Sequence, residues 1–138
     1  MLAAMIPIGQ ALESTGITEM IAGGVVSLAG DLHVFWLLMI ILVITMLITD
    51  VINNAATAVI MAPFSVNIAL QLGQPLEPFL MVVAVGASCA FLTPIGHQCN
   101  TLVMGPGNYK FSDYWRLGLP IDILIVLTSI PMILFVWL

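Results

Sequence analysis

Two short polar stretches interrupt an otherwise apolar sequence, and both carry side chains that can bind ions or polar ligands. The first contains Asp50, Asn53, Asn54 and Thr57, with uncharged apolar segments before and after it. Adjacent amides in such surroundings need partners, because a polar group left unpaired in hydrocarbon costs several kcal/mol. This stretch alone fits either a polar turn in water at the membrane surface or a ligand site within the membrane.

The second polar stretch, residues 93–100, interrupts the apolar run 79–104. Pro94 removes a backbone donor and clashes with the preceding helical turn, and Gly96 weakens a helix further. A broken helix is tolerated at membrane depth only where it is buried in protein or lines a cavity. The pattern therefore predicts a broken transmembrane helix that contributes to a site.

The composition is that of a membrane protein. Hydrophobic residues make up 62 % of the chain and charged residues 7 %, whereas a soluble domain carries about 25 % charge. The net charge of −5 sets seven acidic residues against Lys110 and Arg116, which argues against nucleic acid as a partner. Cys89 and Cys99 have neither a disulfide framework nor a metal-binding spacing, and we expect small buried or loop residues.

Hydropathy and turn residues divide the chain into four parts and predict an all-α membrane protein. Residues 1–30 indicate the end of a transmembrane helix followed by a helix lying in the membrane interface. Residues 31–72 form two apolar arms around the first polar stretch, which predicts a re-entrant hairpin. Residues 73–108 contain the broken helix, and residues 109–138 a cytoplasmic loop and a last transmembrane helix. The first residues resemble a helix already under way, so we expect a fragment of a larger protein.

The lengths of the arms and the positions of the cations indicate the topology. The first arm, Val34–Thr49, would extend roughly 24 Å, against a hydrocarbon core of about 30 Å. The second arm is also expected to fall short, which favours a re-entrant hairpin, with two tilted spans as the alternative. Both cations lie in residues 105–116, so this loop is predicted to be cytoplasmic and the hairpin to enter from outside. Asp122, near the same end as Arg116, is expected to be an interfacial carboxylate within reach of water.

Two interrupted helices would form a binding site from their ends. A helix C-terminus presents unpaired carbonyl groups that suit Na⁺, and a helix N-terminus presents N–H groups and a positive dipole end that suit an anion. No lysine or arginine lies near either polar stretch, so a bound anion would need coupled cations for charge balance. The arrangement predicts a cation-coupled anion carrier.

The same residues resemble a known family. Asn53-Asn54-Ala55-Ala56-Thr57 resembles the Ser-Asn-Thr-Ala-Thr hairpin-tip signature of the divalent anion:sodium symporters, within the elevator-type ion transporter superfamily. Residues 86–94, followed by Asn100, resemble the broken tenth helix of that family. Residues 96–107 are similar to a bacterial branch of permeases of the sodium/dicarboxylate/sulfate type. The resemblance covers essentially the whole chain and corresponds to the C-terminal half of such a transporter.

The resemblance implies one inverted repeat of an elevator transporter, a missing N-terminal half with the second repeat, and a homodimer in the bacterial inner membrane. Na⁺ is the implied coupling ion. Its expected ligands are Asn54 and backbone carbonyls at Thr49, Ile52 and Gly96. The expected substrate-binding residues are Asn53, Asn54, Ala55, Thr57, His97 and Asn100.

Three departures from the family pattern bear on the substrate. Asn53 and Ala55 replace the signature Ser and Thr, and His97 stands where dicarboxylate-transporting members have Thr. The loss of two hydroxyl groups from the tip makes sulfate or another small oxyanion a candidate beside a dicarboxylate.

Two other functions remain as alternatives. Cys99, His97 and Asn100 supply the residue types of an intramembrane thiol enzyme, but they crowd into four positions, where a nucleophile and its base rarely meet correctly. A passive channel or a proton-coupled antiporter would use Asp50 or His97 to carry protons. Asp50 fits a capping carboxylate of the hairpin equally well.

Overall fold

The computed structural model describes residues 33–137 and a few positions before them, namely Pro7, Ala11, Ser14, Thr15, Gly16, Met20, Gly23 and Gly24. Apart from those positions, the helices predicted within residues 1–30 lie outside the described residues. Over residues 33–137 every regular element is a helix, as the predicted all-α class requires. The helices are α1 Val34–Thr49, α2 Asn54–Leu72, α3 Leu76–Ser88, α4 Gln98–Met104 and α5 Phe111–Trp137.

Helices α1 and α2 form a hairpin with a short turn. Helix α1 has the predicted bounds. Helix α2 begins after Asn53, whose side-chain Oδ1 accepts the N–H of Ala56 at 2.9 Å as an N-cap. It ends at Gly73, where a φ of 62° places the chain in the left-handed conformation that glycine adopts without strain. At 19 residues, α2 is long and apolar enough to cross a membrane, so the expectation that this arm falls short is wrong.

Helix α3 lies between the two arms of the hairpin. Each arm packs more extensively on α3 than on the other arm, and α5 packs on both α1 and α3. Phe79 of α3, Leu38 of α1 and Ile68 of α2 are fully buried in the shared apolar core. Small residues allow close approach between membrane helices, and a Cβ atom at Gly86 of α3 would lie 2.9 Å from the Cβ of Thr45.

Two helices, α3 and α4, occupy the region of the predicted broken helix, and the segment between them, residues 89–97, begins and ends earlier than the predicted interruption at 93–100. Helix α3 ends at Ser88, well before Pro94, and the following segment is hydrogen-bonded to Asp50 at the hairpin turn through Leu92 and Thr93. Helix α4 begins after His97, whose Nδ1 accepts the N–H of Cys99 at 3.2 Å. Helix α5 begins at Phe111, so the second half of the predicted 105–116 loop is helical, and α5 is the second helix long and apolar enough to span a membrane.

Candidate functional site

Asp50 joins the hairpin turn to the interruption between α3 and α4. It follows α1 directly and is 3 % exposed. Its Oδ1 accepts the N–H of Leu92 at 3.0 Å, and its backbone oxygen accepts the hydroxyl of Thr93. One residue earlier, Thr49 Oγ1 donates to the backbone oxygen of Ala87 at 3.3 Å. The end of α1 is therefore hydrogen-bonded both to the end of α3 and to the segment that follows it. We call this contact region the crossing.

Gly96 allows the two segments of the crossing to approach each other. A Cβ atom at this position would lie 2.9 Å from the Cα of Asp50 and 3.0 Å from the backbone oxygen of Thr49. The Gly96 N–H donates to Oγ1 of Thr93 at 3.2 Å, so one hydroxyl connects Asp50 with Gly96. The structure thus brings together Thr49 and Gly96, two of the positions from which backbone Na⁺ ligands are predicted.

Three buried oxygen atoms at the hairpin tip have no hydrogen-bond partner among the described residues. They are Oδ2 of Asp50, Oδ1 of Asn54 and Oγ1 of Thr57. Thr57 is 0 % exposed, and its spacing from Asn54 places both on one face of α2. A buried polar group without a partner costs about 1–3 kcal/mol. Oxygen atoms in this state are suited to a hard cation, which prefers oxygen ligands.

The N-terminus of α2 also retains free donors. The Asn53 side chain takes the N–H of Ala56, and the N–H of Thr57 donates to the backbone oxygen of Asn53 at 3.0 Å. The N–H groups of Asn54 and Ala55 have no acceptor among the residues that the structure describes, as expected in the first turn of a helix. The side chains of Ile52, Asn53 and Ala55 are exposed.

Asn100 and His97 form hydrogen bonds mainly within and next to the segment between α3 and α4. The Asn100 Nδ2 donates to the backbone oxygens of Ala90 at 2.9 Å and Thr93 at 3.3 Å. His97 is exposed, and its Nδ1 is engaged with the backbone of Cys99. The side-chain hydrogen bonds of these two predicted substrate residues all go to residues 90–99, and within the described part of the chain neither side chain is hydrogen-bonded to the hairpin.

A cavity of about 490 Å³ lies between α4 and α5, beside the crossing. Its lining combines apolar side chains with Cys99, Tyr109, Asp113 and Tyr114, and Asn100 alone among the predicted site residues reaches it. The Tyr114 hydroxyl donates to the backbone oxygen of Asn100 at 2.7 Å, so this contact holds α4 against α5. The cavity lies outside the group of unpaired oxygen atoms.

Sequence reasoning missed Asp50 as the residue that holds the crossing together. The sequence fits a capping carboxylate or a proton carrier at this position, and the side chain in fact accepts a backbone N–H from a segment far along the chain. The available signal was an acidic residue directly at the end of an apolar arm, because such a group requires a donor.

Comparisons with known proteins identify the family to which the chain is similar. The model of the citrate transporter family matches residues 1–138. The chain belongs to this family. It is 36 % identical over 137 residues to an uncharacterized transporter of Synechocystis sp., covering 99 % of this chain and 22 % of that protein. It is 40 % identical over 129 residues to an uncharacterized transporter of Escherichia coli, covering 94 % of this chain and 21 % of that protein.

A sodium/sulfate cotransporter of Chlamydomonas reinhardtii is 28 % identical over 129 residues, which cover 93 % of this chain and 15 % of that protein. These matches confirm the predicted resemblance to a family of transporters. The relatives named here are transporters, which gives the thiol-enzyme alternative no support. The chain spans about a fifth of the length of the first two relatives.

Proposed function

We propose that this chain is part of a secondary active transporter that carries a small divalent anion, a dicarboxylate or sulfate, together with Na⁺. The observation that carries the proposal is the group of three buried, unpaired oxygen atoms at the hairpin tip. The names of relatives support it, since three of them are a sodium/sulfate cotransporter or a probable one, and the family is that of citrate transporters.

The crossing supplies oxygen ligands for Na⁺. Within the described part of the chain, Oδ2 of Asp50, Oδ1 of Asn54 and Oγ1 of Thr57 have no hydrogen-bond partner. The backbone oxygen of Thr49 lies beside Gly96. A cation among these atoms would relieve the cost of burying them unpaired. Asp50 extends the predicted set of Thr49, Ile52, Asn54 and Gly96 by a charged ligand.

The anion would bind beside the cation at the N-terminus of α2. The N–H groups of Asn54 and Ala55 and the positive end of the α2 dipole favour negative charge. Lys110 and Arg116, the only lysine and arginine in the sequence, lie beyond both polar stretches. Within this chain's part of the site, the balancing charge would come from Na⁺, which would make anion binding depend on the cation. Asn53, His97 and Asn100 would determine selectivity at the edge of the site.

The larger assembly follows from the same proposal. The unit would be one of two inverted repeats in a homodimer of a bacterial inner membrane, with residues 105–116 in the cytoplasm. The hairpin, entering from outside, would move with α3 and α4 as part of an elevator domain. The packing of both arms on α3 supports joint movement, because α3 cannot shift without displacing both arms.

The test is uptake by the full-length transporter in proteoliposomes with an imposed Na⁺ gradient at fixed pH. Asn54→Ala is expected to abolish uptake with the protein still inserted, because it removes a proposed ligand of Na⁺ and anion. Asn67→Ala is the matched control, the same substitution about 20 Å further along α2, and should transport normally. A normal rate in Asn54→Ala would refute the assignment of the site.

Proton coupling is the second candidate, because Asp50 provides a buried carboxylate with one unpaired oxygen at the crossing. Uptake that follows an imposed pH gradient and ignores Na⁺ would establish it and overturn the Na⁺ proposal. A thermal-shift screen of the full-length protein against sulfate, succinate, citrate and phosphate identifies the anion. We expect the transported anion to raise Tm only when Na⁺ is present.

A further inference from the structure

Asp122 lies in an apolar groove on the surface of the described unit. It is the twelfth residue of the 27-residue helix α5, roughly 16 Å from the start of that helix. Its Oδ1 is buried and has no hydrogen-bond partner among the described residues. One carboxylate oxygen of Asp122 is therefore shielded from water by its neighbours, although the side chain as a whole is only partly buried.

The groove has a volume of about 300 Å³ and is formed by α1, α5 and Leu92. Apart from Asp122, its lining is entirely apolar: Val43, Met46, Leu47, Leu92, Leu119, Ile123, Val126 and Leu127. Several of these side chains are exposed, Leu127 at 69 %, so the groove is open along its length. A carboxylate on such a surface within a membrane requires a partner, because an unpaired charge there is costly.

The described residues do not provide that partner. The sequence contains only two residues of the Lys and Arg types, Lys110 and Arg116, and no basic residue lines the groove. Arg116 precedes Asp122 by six positions, which places it about 9 Å along the helix and about 120° around it. Neither cation is therefore positioned to reach the groove.

Two other possible occupants of the groove would leave the Asp122 carboxylate without a partner. A second copy of this chain, packed through the same groove about a two-fold axis, would place one Asp122 against the other, and like charges repel. A lipid acyl chain would fill the apolar lining but offers no hydrogen-bond donor to a carboxylate, and head groups lie at the interface, away from the middle of a spanning helix.

We propose that the groove is the docking surface for a transmembrane helix from the rest of the transporter, and that this helix carries a lysine or arginine opposite Asp122. The chain spans about a fifth of the length of the relatives described above, so such a protein contains many further segments. The apolar lining packs against the incoming helix, and the carboxylate sets its register by pairing with the basic side chain.

The test compares variants of the full-length transporter by thermal stability in detergent. Asp122→Asn keeps the shape and removes the charge, and we expect it to lower Tm by about 5 °C or more, because it leaves a basic group buried without its counter-ion. Thr128→Val is the matched control on the same helix. Its hydroxyl bonds to the backbone oxygens of Leu124 and Ile125 within α5, so its removal should leave Tm unchanged.

A charge reversal identifies the partner. Asp122→Lys should prevent accumulation of folded protein, and one acidic replacement of a lysine or arginine in another transmembrane segment should restore it. Cysteines placed at Asp122 and at that rescuing position should then form a disulfide in the membrane. A wild-type Tm for Asp122→Asn would overturn the proposal, and so would the failure of every such charge reversal to rescue Asp122→Lys.

Discussion

Replacing Thr93 with valine tests the crossing with almost no change of volume. The Thr93 hydroxyl donates to the backbone oxygen of Asp50 and accepts the Gly96 N–H at 3.2 Å. Valine would leave both backbone groups without a partner in a region where Asp50 and Gly96 are buried. An unpaired buried group costs about 1–3 kcal/mol, so the two together should weaken the crossing by roughly 2–6 kcal/mol.

Hydrogen–deuterium exchange of the full-length transporter measures this loss directly. Because a factor of ten corresponds to about 1.4 kcal/mol, amide protection in residues 89–97 should fall by about 30-fold or more in Thr93→Val. Thr93→Ser keeps the hydroxyl and should retain most of the protection. Peptides from the middle of α3, which are held by apolar packing, should exchange alike in all three proteins. Equal protection of residues 89–97 in the valine and serine variants would refute the assigned role of the hydroxyl.

Three further substitutions probe the hairpin and its contacts in the full-length protein. Gly96→Ala should abolish transport and lower Tm, because the new Cβ would lie 2.9 Å from two carbon atoms. Gly105→Ala is the control: no atom lies within 4 Å of its new Cβ, so transport and Tm should both stay unchanged. Thr57→Val should raise Tm in the absence of Na⁺, because it removes an unpaired buried hydroxyl, and it should reduce the increase in Tm that Na⁺ produces. An increase in Tm with Na⁺ equal to that of the wild type would exclude Thr57 as a ligand. Asn53→Ala should cost about 1 kcal/mol through loss of the α2 cap, measured as a lower Tm, and an unchanged Tm would show that the cap contributes no stability.

Much of the helical framework follows from local sequence. The first arm was predicted with the bounds of α1 because an uncharged apolar run ends at an acidic residue, where the helix also ends. The second arm was predicted too short because Asn54 and Thr57 were assigned to a polar turn. Both lie in the first turn of α2, and Thr57 is fully buried. Hydropathy depends on the residue type and not on whether the side chain has a partner in the fold. The predicted helix is therefore too short when the real helix begins with polar side chains.

The crossing itself could not be predicted at this level of detail, because it depends on pairs far apart in the chain. The Asp50 carboxylate and the Leu92 N–H are separated by 42 positions, and no local pattern encodes that contact. The break was expected around Pro94, where the proline rule applies, yet α3 ends at Ser88. Tertiary hydrogen bonds to the hairpin turn stabilise the earlier exit from the helix, and they override the local preference.

The two kinds of contact in this unit have different consequences for transport. The arms of the hairpin are held to α3 by apolar packing, and separating them would open voids that nothing nearby is shaped to fill. The tip is held to residues 89–97 chiefly by hydrogen bonds of Asp50. A hydrogen bond that is exchanged for a contact with water or a cation changes the free energy far less than one that is left unmade. In the proposed transporter, the arms and α3 should therefore remain one body, while binding and release of Na⁺ change the crossing alone.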